Sequence, residues 1–233
     1  MSGPPEYCPV SMGAEIVGER WNLLIIRELL TGARRFNEIH RGLPGLSRTL
    51  LSRRLRVLQD FGLIRAADRV DGSGYELTDA GGDLRPVVKA LGSWSVRWRF
   101  PAPVEGQLNP HLLLWRMRTG LAHDRLPARR VVIEFRFLGE TVDLSERAWL
   151  IADGDDSSLC TRDPLFDVDV YASASSLVWH EIWYGRRSLR SSISSGALQL
   201  AGQRSLVLGF ADWFSLSEFA SEVASGFAED YGP

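Results

Sequence analysis

Lysine is nearly missing from this chain of 233 residues: Lys89 is the single one, and arginine carries the rest of the positive charge. Cysteine is scarce too. With only Cys8 and Cys160 there is no disulfide framework, and a reducing cytoplasm is the expected setting. No apolar run approaches the roughly 18 residues that span a membrane. The opening residues MSGPPEYCP lack the basic stretch followed by an apolar one that marks a signal peptide. The histidines are His40, His111, His123 and His180, none spaced from another His or Cys as metal ligands are, so neither a metal nor a cofactor is expected. There is no G-x-S-x-G nucleophile motif and no phosphate-binding glycine loop. Internal repeats and low-complexity tracts are absent as well. Asp167 and Asp169 fall on one face of an expected strand, the placement a carboxylate pair would have. No enzyme constellation emerges.

What is present is enough for two cores. Hydrophobic residues make up 45% of the chain, and its length suits two domains of about 100 residues each. Charge is unevenly shared. Residues 1–100 hold 15 basic and 11 acidic side chains, a net of +4; the remainder hold 12 and 18, a net of −6. A basic half joined to an acidic one suits a nucleic-acid-binding module tied to a domain that does not touch nucleic acid.

The periodicities predict helices over 10–18, 21–31, 35–42 and 47–61, then two strands, LIRAADRV and GYELT, joined by a tight turn at DGSG. Ser47 is a good N-cap, Gly62 a C-terminal stop, and Thr78 a cap for one long helix running to 98. Leu84, Val87, Val88, Leu91, Trp94 and Trp98 form an apolar face on that helix. The Pro- and Gly-rich stretch 100–110 reads as a linker between a domain at 1–99 and one at 111–233. Beyond it lie a helix at 110–121, a strand over 130–139, further strands near 141–144, 147–153, 157–161 and 167–173, two helices, a short strand at ALQLAG and a last helical region over 203–229. In the 167–173 strand, Val168 and Val170 are expected on one face.

The helix over 47–61 carries the chemistry. Its inward stripe of Leu51, Leu55 and Leu58 leaves Arg48, Thr49, Ser52, Arg53 and Arg56 outward, with Ser47 at its start. Arginine pairs bidentately with guanine and with phosphate, and Ser and Thr serve either. Arg34 and Arg35, before the preceding helix, and Arg69, near the strand turn, are placed for backbone contacts. Alone, four arginines in nine residues are equally a solvated face. The order helix, helix, helix, helix, strand, turn, strand, helix makes them the reading head of a winged helix-turn-helix.

The chain carries Cys8-Pro9-Val10, Arg35-Phe36-Asn37-Glu38-Ile39, Leu43-Pro44-Gly45-Leu46-Ser47, Leu51-Ser52-Arg53-Arg54-Leu55 and Leu77-Thr78. With these motifs, residues 8–94 resemble the HxlR family of bacterial winged-helix regulators. The resemblance implies a homodimer on double-stranded DNA, the 47–61 helix in the major groove and the wing at the minor groove. The wing departs from the pattern, since ADRVDGSGYELT lacks the family's longer hairpin with paired prolines. Cys8 sits where several members keep a redox-sensing cysteine, so the resemblance permits thiol sensing there.

The second half carries a D-V-D-V strand, a helix, Tyr184-Gly185, Leu189, Ile193, Ser195-Gly196 and Leu198-Gln199-Leu200-Ala201-Gly202. In this pattern residues from about 105 to 220 are similar to a sterol-carrier-protein domain. This likeness implies an α/β domain, a mixed sheet covered by helices around an apolar cavity. Trp115, Phe135, Trp149 and Trp179 are the pocket candidates, against ordinary core. The expected whole is α+β: a cytoplasmic, non-enzymatic, dimeric regulator that binds double-stranded DNA and a hydrophobic small-molecule effector. The rivals are an enzyme or a lipid- or polyketide-binding protein that uses the winged helix as a dimerisation platform, and a second domain that is only a spacer.

Overall fold

A computed structural model of the protein describes residues 7–69, 72–104, 108–139 and 146–226. The chain forms two compact units, residues 1–92 and 93–233.

The first unit begins with α1 (Pro9–Val17), α2 (Arg20–Leu30), α3 (Phe36–Arg41) and α4 (Arg48–Asp60). Its core is built where the apolar stripes meet: Ile25, Ile26 and Leu29 of α2, Ile39 of α3, and Leu51, Leu55 and Leu58 of α4 are all buried. Two polar residues of α2 are buried as well. Asn22 donates from Nδ2 to the Ile16 carbonyl at 2.8 Å, and Glu28 accepts from Arg27 Nε at 2.9 Å. A side chain at Gly42 would collide with the Glu28 carboxylate, its Cβ coming within 1.9 Å of Oε2, so glycine lets the turn after α3 close onto α2.

A hairpin follows, β1 (Ile64–Arg69) and β2 (Gly72–Leu77), paired antiparallel from Ile64↔Leu77 to Arg69↔Gly72. The turn is therefore not at DGSG: Gly72, Ser73 and Gly74 belong to β2, and Val70 and Asp71 lie outside the described residues. The register is held by Tyr75, which packs on the core and donates its backbone N–H to the Arg34 carbonyl at 2.8 Å.

The single helix expected after Thr78 is two, α5 (Asp79–Gly82) and α6 (Arg85–Arg99). Thr78 Oγ1 caps the short one by accepting from Gly81 N at 3.2 Å. Gly81 packs so tightly that a Cβ there would stand 2.0 Å from the Leu63 carbonyl oxygen. Pro86 has no N–H to continue a helix through 82, and it suits a first turn. The division between the units falls inside α6, between Gly92 and Ser93. Leu84 and Val88 pack on the first core, whereas Val87, Leu91 and Trp94 are exposed.

In the second unit, α7 (Pro110–Thr119) precedes β3 (Val131–Phe137), β4 (Arg147–Asp153), β5 (Asp156–Cys160) and β6 (Val170–Ala174). Then come α8 (Ser176–Trp183), α9 (Leu189–Ser194), β7 (Gln199–Gly202), α10 (Arg204–Gly209) and α11 (Ala220–Ala224). The strand expected near 141–144 lies outside the described residues. The five strands form one mixed sheet in the order β5-β4-β3-β6-β7. β3 runs parallel to β6, and the other neighbours are antiparallel.

One sheet face, with Ile133, Phe135, Leu150 and Ala172, packs under Leu114 and Met117 of α7, Trp179 and Ile182 of α8, Leu206 of α10, and Phe210 and Phe214. The other face carries a smaller cluster of Val132, Trp149 and Ile151. Central β3 is thus buried on both faces, and even Glu134 is buried, its carboxylate accepting from Arg136 Nε at 2.6 Å.

Two expectations are corrected here. Val168 and Val170 pack in different clusters, on opposite faces, because β6 begins only at Val170. Just before it, the Asp169 carboxylate accepts from the Val132 backbone N–H at 2.9 Å and from Arg129 at 2.8 Å, a structural strap. The last helical region is broken: α10 passes into a 3-10 turn at Phe210–Asp212, and α11 follows only at 220. Between them Ser215 N donates to the Gly120 carbonyl at 2.7 Å, tying this segment to the end of α7.

Gly185 has φ +78°, and a Cβ there would stand 2.3 Å from the Ala220 carbonyl oxygen. Gly154, at φ +60°, would meet nothing within 4 Å. Gly185→Ala is therefore expected to lose about 2 kcal/mol or more, from left-handed strain and a backbone clash together. Gly154→Ala should lose about 1 kcal/mol, from strain alone. Urea unfolding measures both, and equal losses would contradict the close approach at Gly185.

Candidate nucleic-acid interface

Ser47 opens α4 in extended conformation, its Oγ accepting from Leu50 N at 3.2 Å. From there the helix turns about 100° per residue. Arg48, Ser52, Arg56, Thr49 and Arg53 cover an arc of about 140°, while Leu58, Leu51 and Leu55 cover about 60° elsewhere. The leucines are buried, and Ser47, Arg48, Thr49, Ser52, Arg53 and Arg56 are all exposed. Five of the expected DNA-contacting residues thus share one face, and Ser47 is exposed at its N-terminal end.

Arg48 is not merely solvated. Its Nη1 donates to Asn37 Oδ1 of α3 at 2.9 Å, and its guanidinium lies 5.8 Å from the Phe36 ring centroid. α3 thereby holds Arg48 in one orientation at the start of α4. Asn37 is a member of this face that the sequence reading did not single out. Its signal was a short polar side chain at an exposed position of α3, but the partner lies 11 residues away. Arg54 points elsewhere and pairs with Glu19 at 2.6 Å.

The arginines before α3 separate. Arg35 is exposed at its N-terminus. Glu38 Oε2 accepts from the backbone N–H groups of Arg34 and Arg35 at 2.8 and 3.0 Å, satisfying donors that a helix start leaves open. The Arg34 guanidinium turns inward instead. Its Nη1 donates to the carbonyls of Leu29 and Ala33 at 2.6 and 2.9 Å, at the negative end of α2. Arg69 ends β1, and its side chain lies outside the described residues.

Cys8 is the N-cap of α1. Hydrogen bonding from the Ser11 backbone N–H, then from that of Val10, and then the Ser11 hydroxyl hold its thiol below the ordinary range. Such donors favour the thiolate.

The four aromatic candidates of the second unit do not share one lining. Phe135 and Trp179 meet on the helix-covered face, ring centroids 5.1 Å apart, with Phe214 6.3 Å from Phe135. Trp149 lies on the opposite face beside Val132 and Ile151. Trp115, buried on α7, has the Arg118 guanidinium 4.3 Å from its ring centroid. Among the described residues, no group of three or more His, Cys, Asp or Glu side chains is placed to hold a metal ion, and no helix is long and apolar enough to cross a membrane.

Residues 16–102 match the model of the HxlR-like helix-turn-helix family. The uncharacterized HTH-type transcriptional regulator YvaP of Bacillus subtilis is 35% identical over 104 residues, which cover 42% of this chain and 94% of YvaP. An uncharacterized HTH-type transcriptional regulator of Mycobacterium tuberculosis is 45% identical over 91 residues, 36% of this chain and 55% of the relative. The chain thus spans about half the length of the mycobacterial relatives it matches. Among solved structures, the reduced form of the transcriptional regulator YodB from B. subtilis is 30% identical, with 40% of this chain and 96% of that one covered and a TM-score of 0.36.

The two kinds of arginine are expected to differ in stability. Arg34→Ala removes a charged donor from the Leu29 carbonyl at the end of α2 and from the Ala33 carbonyl beyond it, and should lower stability by about 1–2 kcal/mol. Arg53→Ala and Arg56→Ala, on the exposed arc, should stay within about 0.5 kcal/mol of the parent. Thermal and denaturant unfolding decide this, and a neutral Arg34→Ala would return that guanidinium to the solvent-facing set.

Proposed function

The chain belongs to the HxlR-like helix-turn-helix family, and we propose that it is a dimeric, cytoplasmic transcriptional regulator that binds double-stranded DNA through α4 and a hydrophobic small molecule through its second unit. The observation that carries the DNA reading is the exposed arc of Arg48, Thr49, Ser52, Arg53 and Arg56 above a buried leucine stripe, with Ser47 exposed at its start. Five donors per arginine suit guanine edges and phosphates alike. Arg35 adds a backbone contact beside them, and Arg69 a further one from the wing.

Dimerisation is supported by apolar surface on the first unit. α1 has no buried residue and presents Val10 and Met12, and α6 presents Val87 and Leu91. A second copy covering such surface would remove it from water. The small-molecule reading rests on the aromatic cluster of Phe135, Trp179, Phe210 and Phe214 under the helices. A ligand that favours one arrangement of the dimer over another would change DNA affinity by that difference in binding.

Binding to DNA from the protein's own promoter region is expected to fall steeply with salt. Each neutralised phosphate contributes a log–log slope of about −0.9, so a dimer making several contacts per subunit should reach a magnitude of about 6 or more. Arg53→Ala should weaken the specific site by about 1–3 kcal/mol and relax base preference at one position per half-site. Arg35→Ala should weaken all sequences alike. A flat salt response, or identical behaviour of the two variants across a sequence library, contradicts these assignments.

A second reading, thiol sensing at Cys8, is favoured by the hydrogen bonds that stabilise its thiolate. Iodoacetamide at neutral pH should alkylate Cys8 faster than Cys160, as mass spectrometry would report. Equal rates would remove the ground for it.

A further inference from the structure

Arg48 is the first residue of α4, and helical side chains lean toward the N-terminus of their own helix. Its guanidinium therefore reaches past the end of α4 onto α3. There Nη1 donates to Asn37 Oδ1 at 2.9 Å, and the group lies 5.8 Å from the Phe36 ring centroid. This platform is itself fixed. Phe36 packs against the first core, and its ring stacks on His40 with centroids 6.4 Å apart and planes 6° from parallel. Arg53 and Arg56 share the exposed arc but have no such partner among the described residues.

The bond to Asn37 uses one hydrogen on Nη1. Nε and Nη2 keep theirs, with no acceptor among the described residues. That edge offers two parallel donors, the pattern that meets guanine O6 and N7. An arginine loses rotamer freedom when it binds. Arg48 has lost part of that freedom before any DNA arrives, so its contact with a base is less opposed by entropy than one made by Arg53 or Arg56. Recognition helices place their N-terminal residues at base edges, and Arg48 holds that place in α4. Asn37 and Arg48 are both exposed. A bond between two such groups adds little to folding stability, so the core does not require the pair.

Resting on the DNA reading given above, we propose that Arg48 reads one guanine of the DNA site through its Nε and Nη2 donors, and that Asn37 of α3 is the positioning residue that holds Arg48 for that contact. Asn37 acts through the arginine and not on a base of its own. The helix before the reading helix thereby takes part in sequence choice.

The test is selection by the full-length protein from a library of random-sequence DNA duplexes, with sequencing of the retained pool. Affinities are then measured on the preferred duplex. Arg48→Ala should cut the preference for one guanine over the other bases about 10-fold. Asn37→Ala should cut the preference at that same position about 3-fold. It should leave the position that depends on Arg53 unchanged, and the thermal unfolding midpoint as well. In the Arg48→Ala background it should have no further effect. The parent protein supplies a readout free of any substitution. Replacing that guanine by 7-deazaguanine, which lacks the N7 acceptor, should weaken binding about 5-fold. A preference unaltered by either single substitution, an equal loss at every position on Asn37→Ala, or a further loss from it in the Arg48→Ala background would overturn this assignment and leave the DNA reading standing. Undiminished affinity for the 7-deazaguanine duplex would do the same. Retention of no duplex from the library would overturn both.

Discussion

Burial of three leucines on α4 against α2 is the constraint from which the rest of the first unit follows. Leu51, Leu55 and Leu58 are almost wholly buried. Each contributes about 1.5–3 kcal/mol relative to exposure, well above what any exposed arginine contributes through a surface ion pair. The rotation of α4 about its axis is therefore set by its apolar side. The arginine face is what remains on the other side, and it is held outward whether or not anything binds it. α3 refines this placement through Asn37 and Phe36, which hold Arg48. Glu28, buried under Gly42, keeps the turn after α3 close to α2.

The second unit depends on a different constraint, the position of β3 at the centre of its sheet. A central strand packed on both faces must satisfy whatever polar group falls on either. Glu134 meets this with Arg136, and with Arg147 at 3.7 Å. Where β6 starts beside β3, Asp169 takes the Val132 N–H that a longer strand would have paired. The helix-covered face is mainly aromatic and aliphatic, and Trp179 Nε1 is buried there without a hydrogen-bond partner.

Much of this architecture was legible along the chain. The i, i+4, i+7 leucines, Ser47 as a cap and Gly62 as a stop are local signals, and α4 runs Arg48–Asp60 with Gly62 at φ +68°. The misreadings share a cause. Thr78 does cap a helix, but two glycines and the contact of Gly81 with Leu63 end it within four residues. DGSG has the composition of a turn, yet the packing of Tyr75 draws its glycines into β2. Val168 and Val170 have the spacing of one strand face, but the strand begins only at Val170, three residues later than expected, and leaves Val168 outside it. In each case a tertiary contact overruled a local preference of similar or smaller size.

The sequence by itself determined which stretches are helices and strands, which faces are apolar, and that one helix carries an outward arginine row, because these depend on periodicity and on neighbours a few residues apart. Only the tertiary structure decided that Arg34 caps α2 rather than facing outward, that Asn37 orients Arg48, and that Trp149 lies across the sheet from Phe135 and Trp179. Those outcomes are set by strand register and by partners distant in the chain. A side chain's hydrogen bonds go to whichever carbonyl or carboxylate the fold brings within about 3 Å of it, and no spacing along one element encodes that distance.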